Sequence, residues 1–419
     1  MSRALVLLVF AVSMMCLTSS AQLAFEPHNS ALKQADRYFN RQAYEHALVL
    51  YHKVISKEPQ SPKVKLRIAH CYRLLKDHKN AAFWFGQTLG SKHGEPTEDF
   101  LFYASSLCQI QQYAEAKIWY GRYLQKFPDD TQAQAALASL SNMKSLINPN
   151  FQIEAFQMSG LEAATFSPTI WNDNLVFVAP GNTGGIAKKV AAWDESAYFD
   201  LYCISLKRRT AYPHLMPESL NSIYHEGPAH FFDEGRQVIL TRSSGSKSVK
   251  KSRNLQLMSS KRSSNGHWKE PEPLNICHPE VSMGHPSLDE TTFTLYFVSD
   301  MPGGYGGTDI YRSKLVGGVW QQPVNLGPEI NSPGNEMFPS FHKGSLYFAS
   351  DGRGGLGGLD LFICRDLKSS SPPNNLGYPI NSPQDDFGLV WQTESDGFLS
   401  SNRQGKDQIF KFSYIAPKN

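Results

Sequence analysis

Short apolar runs dominate the C-terminal half of the chain and recur at a fixed interval. Leu295–Asp300 (LYFVSD) returns as Leu346–Asp351 (LYFASD) and, in a weaker form, as Gly397–Asn402 (GFLSSN), each copy 51 residues after the previous one. The runs are aromatic and are bounded by Asp and Gly, which predicts strands joined by turns. A fixed period of this length indicates a repeated supersecondary unit, because one such unit cannot bury its apolar face alone.

The segment after each run is repeated as well. A glycine-rich stretch, Gly303–Gly307 or Gly354–Gly358, precedes a second strand that begins at Asp309 or Asp360. Glycine tolerates the positive φ that tight hairpins require. A Trp-containing segment and a Pro-led strand complete the unit. About four strands in roughly 50 residues is the size of a β-propeller blade.

Two looser copies of the unit begin near Phe166 and Gly227. They bring the prediction to five blades, with six as the alternative if a degenerate blade lies in their long loops. The last copy ends at Phe412 without a fourth strand, and Phe151–Phe156 is an unassigned strand before the first copy. Because closure removes exposed strand edges, we expect this segment to complete the last blade of an all-β propeller over residues 148–419.

Residues 28–147 show helical periodicity instead. Ala35, Ala69 and Ala104 are spaced by 34 or 35 residues, and small residues, aromatics and prolines recur around them. The recurring set is Tyr38, Ala47, Tyr51 and Pro59, then Tyr72, Ala81 and Phe85, then Leu107, Ala116, Tyr120 and Pro128. Small residues let two helices approach, and Pro ends the second helix. The pattern predicts a multidomain chain whose first domain, residues 22–147, is an all-α solenoid of three repeats capped by a helix over Thr131–Leu146.

The N-terminus has the features of a secretory signal peptide over residues 1–21. Arg3 precedes the apolar stretch Ala4–Leu17, and Ser19–Ala21 supplies small residues before Gln22. The stretch is too short to be read as a membrane span. Cys16 leaves lipidation open, although the residues before it lack the small residue expected next to a lipidated cysteine.

The two repeats carry a family resemblance. The Ala, Tyr and Pro positions resemble the tetratricopeptide repeat, and Pro339–Ser340, Leu346–Asp351 and Gly354–Phe362 resemble the TolB-type, WD-like propeller repeat of bacterial envelope proteins. A signal peptide followed by these two domains is similar to the front half of Bacteroidota-type components related to the OmpA family and to type IX secretion. The resemblance implies a periplasmic protein, associated in some members with the outer membrane, that works within an envelope assembly.

The net charge and the cysteine spacing add little to the prediction of function. The formal net charge is +3, and the six cysteines show neither disulfide nor metal-type spacing, so we expect buried thiols. A basic cluster in the second blade is either a solvated loop or a site for an anionic partner such as a membrane surface or a polyanionic glycan. It consists of Lys247, Lys250, Lys251, Arg253, Lys261 and Arg262.

Motifs of catalysis are absent from the sequence. We find no Gly-x-Ser-x-Gly, no His-Glu-x-x-His and no phosphate-binding loop with Lys. The chain is therefore expected not to be an enzyme, and to have no catalytic residue, cofactor or nucleic-acid partner. Loops of several blades can nevertheless build an active site that spacing does not reveal, which keeps an enzyme as a third class.

Recurring acidic residues suggest structure rather than metal binding. The ligand alternation of a continuous calcium loop is absent from the sequence around these positions. We expect their carboxylates to accept from backbone N–H groups and to hold the glycine-rich hairpins, with no metal site. The residues are Asp300, Asp309, Asp351 and Asp360.

The helical array supplies the predicted binding residues. By repeat phase its concave face carries Asn40, His70, Arg73, Ser105 and Gln109, and such faces bind peptide segments. Trp193 is a candidate for a binding face of the propeller, whereas Trp268 and Trp320 recur with the period and are expected in the core.

These features together favour a non-enzymatic periplasmic scaffold that binds protein partners in cell-envelope assembly, such as type IX secretion or gliding machinery. The alternative is a propeller module that binds peptidoglycan or another glycan.

Overall fold

The computed structural model describes residues 26–90, 97–181, 198–208, 212–217, 219–243, 254–368 and 371–416. The chain forms two compact units. Among the described residues, the first unit contains 26–90 and the second contains all the others. Within the described residues, no helix combines the length and apolar character needed to cross a membrane.

The helical region is built from antiparallel pairs. In the part of the chain that the structure describes, seven α-helices precede a 3-10 turn over Met143–Leu146. They are α1 (Glu26–Asn40), α2 (Tyr44–Ile55), α3 (Pro62–Leu74), α4 (His78–Leu89), α5 (Glu98–Gln109), α6 (Tyr113–Leu124) and α7 (Thr131–Ser141). Helices α1 to α4 belong to the first unit, whereas α5 to α7 belong to the unit that contains the propeller.

The repeat pattern read from the sequence is confirmed in the packing. Ala35, Ala69 and Ala104 are fully buried on the first helix of each pair, where a larger side chain would push the helices apart. The turn between paired helices also repeats. Gln42, Lys76 and Gln111 each have a φ near +60° and carry the same period.

Five antiparallel sheets follow in the described part of the chain, four with four strands and one with five, so the five-blade prediction is confirmed. Blade 1 contains β2 (Phe166–Trp171), β3 (Asn174–Pro180), β4 (Phe199–Ser205) and β5 (His214–Leu215). Blade 2 contains β6 (Glu226–Phe232), β7 (Gln237–Ser243), β8 (Leu255–Lys261) and β9 (Glu272–Pro273). Blade 3 contains β10 (Met283–Asp289), β11 (Thr294–Ser299) and β12 (Asp309–Val316), which pairs with both β13 (Val319–Trp320) and β14 (Val324–Asn325). Blade 4 contains β15 (Glu336–His342), β16 (Ser345–Ser350), β17 (Asp360–Cys364) and β18 (Asn374–Asn375).

Blade 5 is assembled from both ends of the propeller sequence. Its strands are β19 (Asp386–Trp391), β20 (Asp396–Ser401), β21 (Gln408–Tyr414) and β1 (Phe151–Ala155). Strand β1 pairs antiparallel with β21, with Phe151 opposite Tyr414 and Ala155 opposite Phe410. The predicted closure is confirmed, and it leaves the last blade with no missing outer strand.

Alternate residues of each second strand face opposite neighbours. In β16, Phe348 packs in the cluster between blades 3 and 4, and Tyr347 packs in the cluster between blades 4 and 5. This follows from the two-residue period of a strand. It explains why the second-strand runs are apolar throughout rather than alternating. Trp268 and Trp320 are buried in such clusters, as predicted.

A recurring asparagine ties each of three blades to the loop that leaves it. The Asn331 side chain accepts from the backbone N–H of Ile310 (2.8 Å) and donates to the carbonyl of the same residue (3.1 Å). The amide thus copies the pairing of a strand. The same two bonds join Asn221 to Leu201 and Asn381 to Leu361.

A buried carboxylate begins the first strand of three blades. Asp386 accepts from the Ser382 hydroxyl (2.8 Å) and from the Arg403 guanidinium (2.5 Å). Burial raises the pKa of Asp386, and the Arg403 charge opposes that shift. Blades 2 and 4 carry Glu226 and Glu336 at the matching position, each hydrogen-bonded to a serine four residues earlier.

Helices α5 and α7 contact the loops of blade 4 within the second unit. The Gln132 side chain donates to the carbonyl of Asp351 (3.0 Å), and the Gln384 side chain donates to the carbonyl of Gln109 (3.0 Å). The Gln109 amide donates to Pro383 (3.1 Å) and accepts from Gly358 (3.0 Å). The third helical pair and the propeller therefore share polar contacts as well as one compact unit.

Candidate functional site

The five first strands surround the propeller axis, and each contains one β-bulge. In β15 the register shifts between Met337 and Ser340, and the bulge residue Phe338 has a φ of 51°. Bulges are common beside functional sites because they redirect side chains. The matching bulges lie at Ser167–Pro168, Gly227–Pro228, His285–Pro286 and Gly388–Leu389.

The bulges line a narrow axial cavity of about 50 Å³. It adjoins a wider cavity of about 480 Å³ at the turns that follow the first strands, which we call the channel mouth. Part of its wall is formed by the β10–β11 turn (residues 289–292) and the β15–β16 turn (residues 342–344). Both cavities share Thr169, His230, Ser287, Ser340 and Val390.

The two histidines that line the axial cavity are uncharged at neutral pH. Burial lowers the pKa of His230 to about 4 and that of His285 to about 3. The His285 ring stacks on Phe338 with 4.1 Å between ring centroids, and its Nδ1 accepts from the Phe338 backbone N–H (3.3 Å). These contacts hold the bulge conformation and leave a neutral polar wall.

The carboxylates at the channel mouth shape its turns. Asp289 accepts from the Thr291 N–H (3.0 Å) and the Thr292 hydroxyl (2.6 Å). Glu290 accepts from the Asp233 backbone N–H (2.9 Å), which links blades 2 and 3. Both acidic side chains therefore have structural partners.

A third cavity lies between blades 4 and 5, with a volume of about 430 Å³. We call it the blade 4–5 pocket. Its apolar lining consists of Phe151, Tyr347, Ile363, Leu376, Trp391 and Tyr414. All six belong to, or pack against, the core cluster between these blades, so the walls are held rigidly.

The rim of the blade 4–5 pocket is polar and charged. Lys343 pairs with Glu394 across the two blades, and the other polar lining residues are Arg365, Asn148, Asn150, His342 and Ser345. The pocket and the channel mouth share His342, Lys343 and Trp391, and the His342 and Trp391 rings are stacked at 5.5 Å. The two cavities are thus neighbours on the face formed by the first turns of the blades.

Three of the predicted groove residues lie in the first unit. Asn40 is exposed, and His70 and Arg73 are half-buried on α3. The His70 ring meets Phe85 edge-on at 5.2 Å. Binding of a partner by these residues stays a prediction.

The other two predicted groove residues, Gln109 and Ser105, make hydrogen bonds to other residues of the chain. Gln109 is 6% exposed, with its amide held between Pro383 and Gly358. The Tyr120 hydroxyl is hydrogen-bonded to Ser105, and burial raises the pKa of Tyr120 well above its usual value. Sequence phase does not reveal that propeller loops contact this end of the third pair.

The predicted basic cluster is only partly described. Lys247, Lys250, Lys251 and Arg253 lie outside the described residues, as does Trp193. Lys261 is exposed at the end of β8. Arg262 donates to the Gly266 carbonyl (2.8 Å) and lies 5.5 Å from the centre of the Trp171 ring, so its side chain is part of a turn.

The recurring aspartates hold loops, in two ways. Asp309 accepts from the N–H groups of Tyr305 (2.7 Å) and Gly306 (3.2 Å), as predicted for the glycine-rich hairpin, and Asp360 does the same for Leu356 and Gly357. Asp300 and Asp351 instead accept from Ser282 and Asn335, in the loop that enters their own blade. Within the described ranges, no group of three or more His, Cys, Asp or Glu side chains could hold a metal ion.

Sequence reasoning missed the asparagine ties, the buried carboxylates and the blade 4–5 pocket. The first two had a visible signal, since Asn-Ser recurs at 221, 331 and 381 with an acidic residue five positions after each Asn. The pocket had none, because its lining comes from six separate segments.

Known proteins similar to this chain are found among solved structures. No family model matches the sequence, and no curated protein does. Among solved structures, the first tetratricopeptide domain of Spaghetti bound to an HSP90 peptide is 21% identical, with 28% of this chain and 93% of that chain covered and a TM-score of 0.26.

Two further solved structures are similar to the propeller. A β-xylosidase/α-arabinofuranosidase of glycoside hydrolase family 43 from a compost microbial metagenome is 9% identical, covering 64% of this chain and 96% of that chain with a TM-score of 0.40. An endo-arabinase from Bacteroides thetaiotaomicron is 12% identical, covering 64% and 99% with a TM-score of 0.40. At these identities the likeness concerns the fold alone.

The prediction that the chain is not an enzyme is wrong. The matched propellers are those of glycoside hydrolases, so this fold is one that enzymes use. The error lay in treating missing motifs as evidence against catalysis, although propeller active sites are assembled from side chains of several blades. The likeness carries no substrate over to this chain.

Proposed function

We propose that this protein is a scaffold of the bacterial cell envelope that binds protein partners through its helical repeats and its propeller. The observation that carries the proposal is the difference between the two faces of the propeller. On one face, helices α5 and α7 contact the loop between the second and third strands of blade 4 and the loop that joins blade 4 to blade 5. On the other face, the channel mouth and the blade 4–5 pocket lie at the turns between first and second strands. The chain covers part of one face with its own helices and presents preformed cavities on the other.

The finer assignment is periplasmic, within a type IX secretion or gliding assembly, with envelope proteins as partners. It is supported by the N-terminal segment and by the resemblance of both repeats to envelope proteins. Cell fractionation tests the compartment: we expect the chain in the periplasmic or outer-membrane fraction. Recovery in the cytoplasmic fraction alone would contradict the assignment.

Crosslinking in living cells, followed by affinity purification and mass spectrometry, tests partner binding. We expect a discrete set of envelope proteins, and we expect Arg73→Glu on α3 to remove at least one of them. Lys79→Glu is the matched control, because Lys79 is an exposed cation of the same repeat outside the predicted groove. Equal recovery with both variants would argue against the groove.

The glycan alternative has its own readout. Purified cell-wall sacculi are incubated with the chain and sedimented. The scaffold proposal expects the protein to stay in the supernatant. Retention on sacculi without any crosslinked protein partner would favour a glycan-binding module instead.

A further inference from the structure

We propose that the blade 4–5 pocket binds the carboxyl-terminal residue of a partner polypeptide, with its apolar side chain between the aromatic walls and its carboxylate on Arg365. The inference deepens the proposed function by naming the ligand chemistry. It rests on that function only for the source of the ligand.

The first support is the apolar interior. Phe151 and Tyr347 are 5% and 9% exposed, and Tyr414 packs against Phe151 with 5.0 Å between ring centroids. The walls come from β1, β16 and β21, so they are parts of two sheets rather than of loops. A preformed cavity of this size, with apolar walls and a few polar groups, is typical of a ligand site.

The second support is charge. Arg365 follows β17, is exposed, and among the described residues has no ion pair or hydrogen bond. It faces Tyr347: burial raises the pKa of the Tyr347 hydroxyl, and the Arg365 charge opposes that shift. Lys343 is already neutralised by Glu394. The rim therefore keeps one positive charge in excess, beside the apolar wall.

The third support is the arrangement of the two features. An α-carboxylate at a chain end is attached to the same residue as an apolar side chain, whereas an internal Asp or Glu carries its charge on a different residue. A guanidinium beside an aromatic cavity matches the first arrangement, and Arg is well suited to carboxylates. The adjoining channel mouth offers space for the residues that precede the terminus.

Calorimetry with the purified full chain tests the inference, using N-acetyl-phenylalanine and N-acetyl-phenylalaninamide. The probes share an apolar group and differ in the carboxylate. We expect the acid to bind about tenfold more tightly than the amide, because the charge-assisted bond is lost. Arg365→Gln should abolish this difference and leave amide binding unchanged.

Lys314→Gln is the matched control. Lys314 of blade 3 is the counterpart of Arg365 in blade 4. The register shows this, since Leu295 pairs with Ser313 and Leu346 pairs with Cys364, and each cation is the next residue along the chain. The Lys314→Gln variant should bind both probes with the affinities of the unaltered chain. Equal affinity for acid and amide, or equal effects of Arg365→Gln and Lys314→Gln, would overturn the inference.

The source of the ligand is tested with Ala-Ala-Ala-Phe as the free acid and as the amide. We expect the acid to bind at least as tightly as N-acetyl-phenylalanine. Binding of the single amino-acid derivative but not of the tetrapeptide acid would overturn the assignment to a polypeptide terminus and leave a small-carboxylate site. If Arg365→Gln keeps every crosslinked partner, the pocket inference fails while the scaffold proposal stands.

Discussion

Blades 3 and 4 share nearly the same second strand and the same glycine-rich loop, yet their surroundings differ. Tyr305 at the tip of the blade 3 loop is 49% exposed, whereas its counterpart Leu356 in blade 4 is 6% exposed. A Cβ on Gly303 would meet nothing within 4 Å, whereas a Cβ on Gly354 would lie 2.5 Å from the Ala135 carbonyl of α7. The same motif thus serves one blade as an exposed loop and the other as a contact for helices.

The comparison extends to the blade interior. Asp386 and Arg403 of blade 5 pair in the core, and the matching positions of blade 3 carry Met283 and Met301. The acid and its cation are thus replaced together. This is expected because a lone buried charge costs several kcal/mol, whereas two apolar residues pack at little cost. Blades can therefore exchange ionic for apolar interiors without a change of fold.

Breaking the buried pair should have the largest effect. Arg403→Met leaves Asp386 buried without its cation and should lower the free energy of unfolding by about 3–5 kcal/mol. Urea denaturation followed by tryptophan fluorescence measures the loss. The double variant Asp386→Met with Arg403→Met copies blade 3 and should recover more than half of it. A double variant as unstable as the single one would contradict the comparison.

Adding a methyl group to each of the two loops should destabilise the chain more in blade 4 than in blade 3. Gly303 and Gly354 have φ values of 88° and 71°, so Ala at either position costs about 1–2 kcal/mol in backbone strain. Gly354→Ala also clashes with α7 and should cost about 1–3 kcal/mol more. Parallel urea titrations of the two variants give the difference. Equal losses would show that the helix yields without cost.

Removing the Gln109 side chain tests the contact between α5 and the propeller. Gln109→Ala leaves the Pro383 carbonyl and the Gly358 N–H without that partner and should cost about 1–3 kcal/mol. Gln34→Ala, on an exposed part of α1, should stay within about 0.5 kcal/mol of the unaltered chain. Thermal unfolding of both variants provides the test, and similar melting temperatures would speak against a stabilising contact.

The smallest effect concerns pH. Asp200 occupies in blade 1 the position of Asp309 and Asp360, and burial raises its pKa to about 6. Because the folded chain holds this proton more tightly than the unfolded chain, stability should fall as pH rises from about 4 to about 6. Asp200→Asn should remove this slope, measured by urea denaturation between pH 4 and pH 7. An unchanged slope would assign the dependence to other groups.

The strand and helix pattern was predictable because it depends on local rules. The 51-residue period placed the second strands, and the missing fourth strand of the last copy pointed to Phe151–Ala155. The glycine-rich hairpins also followed from the Asp residues beside them. The contact of Gln109 with propeller loops was not predictable, because repeat phase describes a helix face and cannot show that the loops of a distant segment contact it.

The sequence by itself determined the 51-residue blade repeat, the closing strand and the alanine contacts of the helix pairs, since each depends on periodicity that a single chain displays. Only the tertiary structure decided that α5 and α7 contact blade 4 rather than blade 3, and that a pocket with one excess positive charge forms between blades 4 and 5. The physical reason is distance along the chain. Residues around positions 150, 345, 365, 390 and 414 meet only when the ring closes, and no local pattern encodes that meeting.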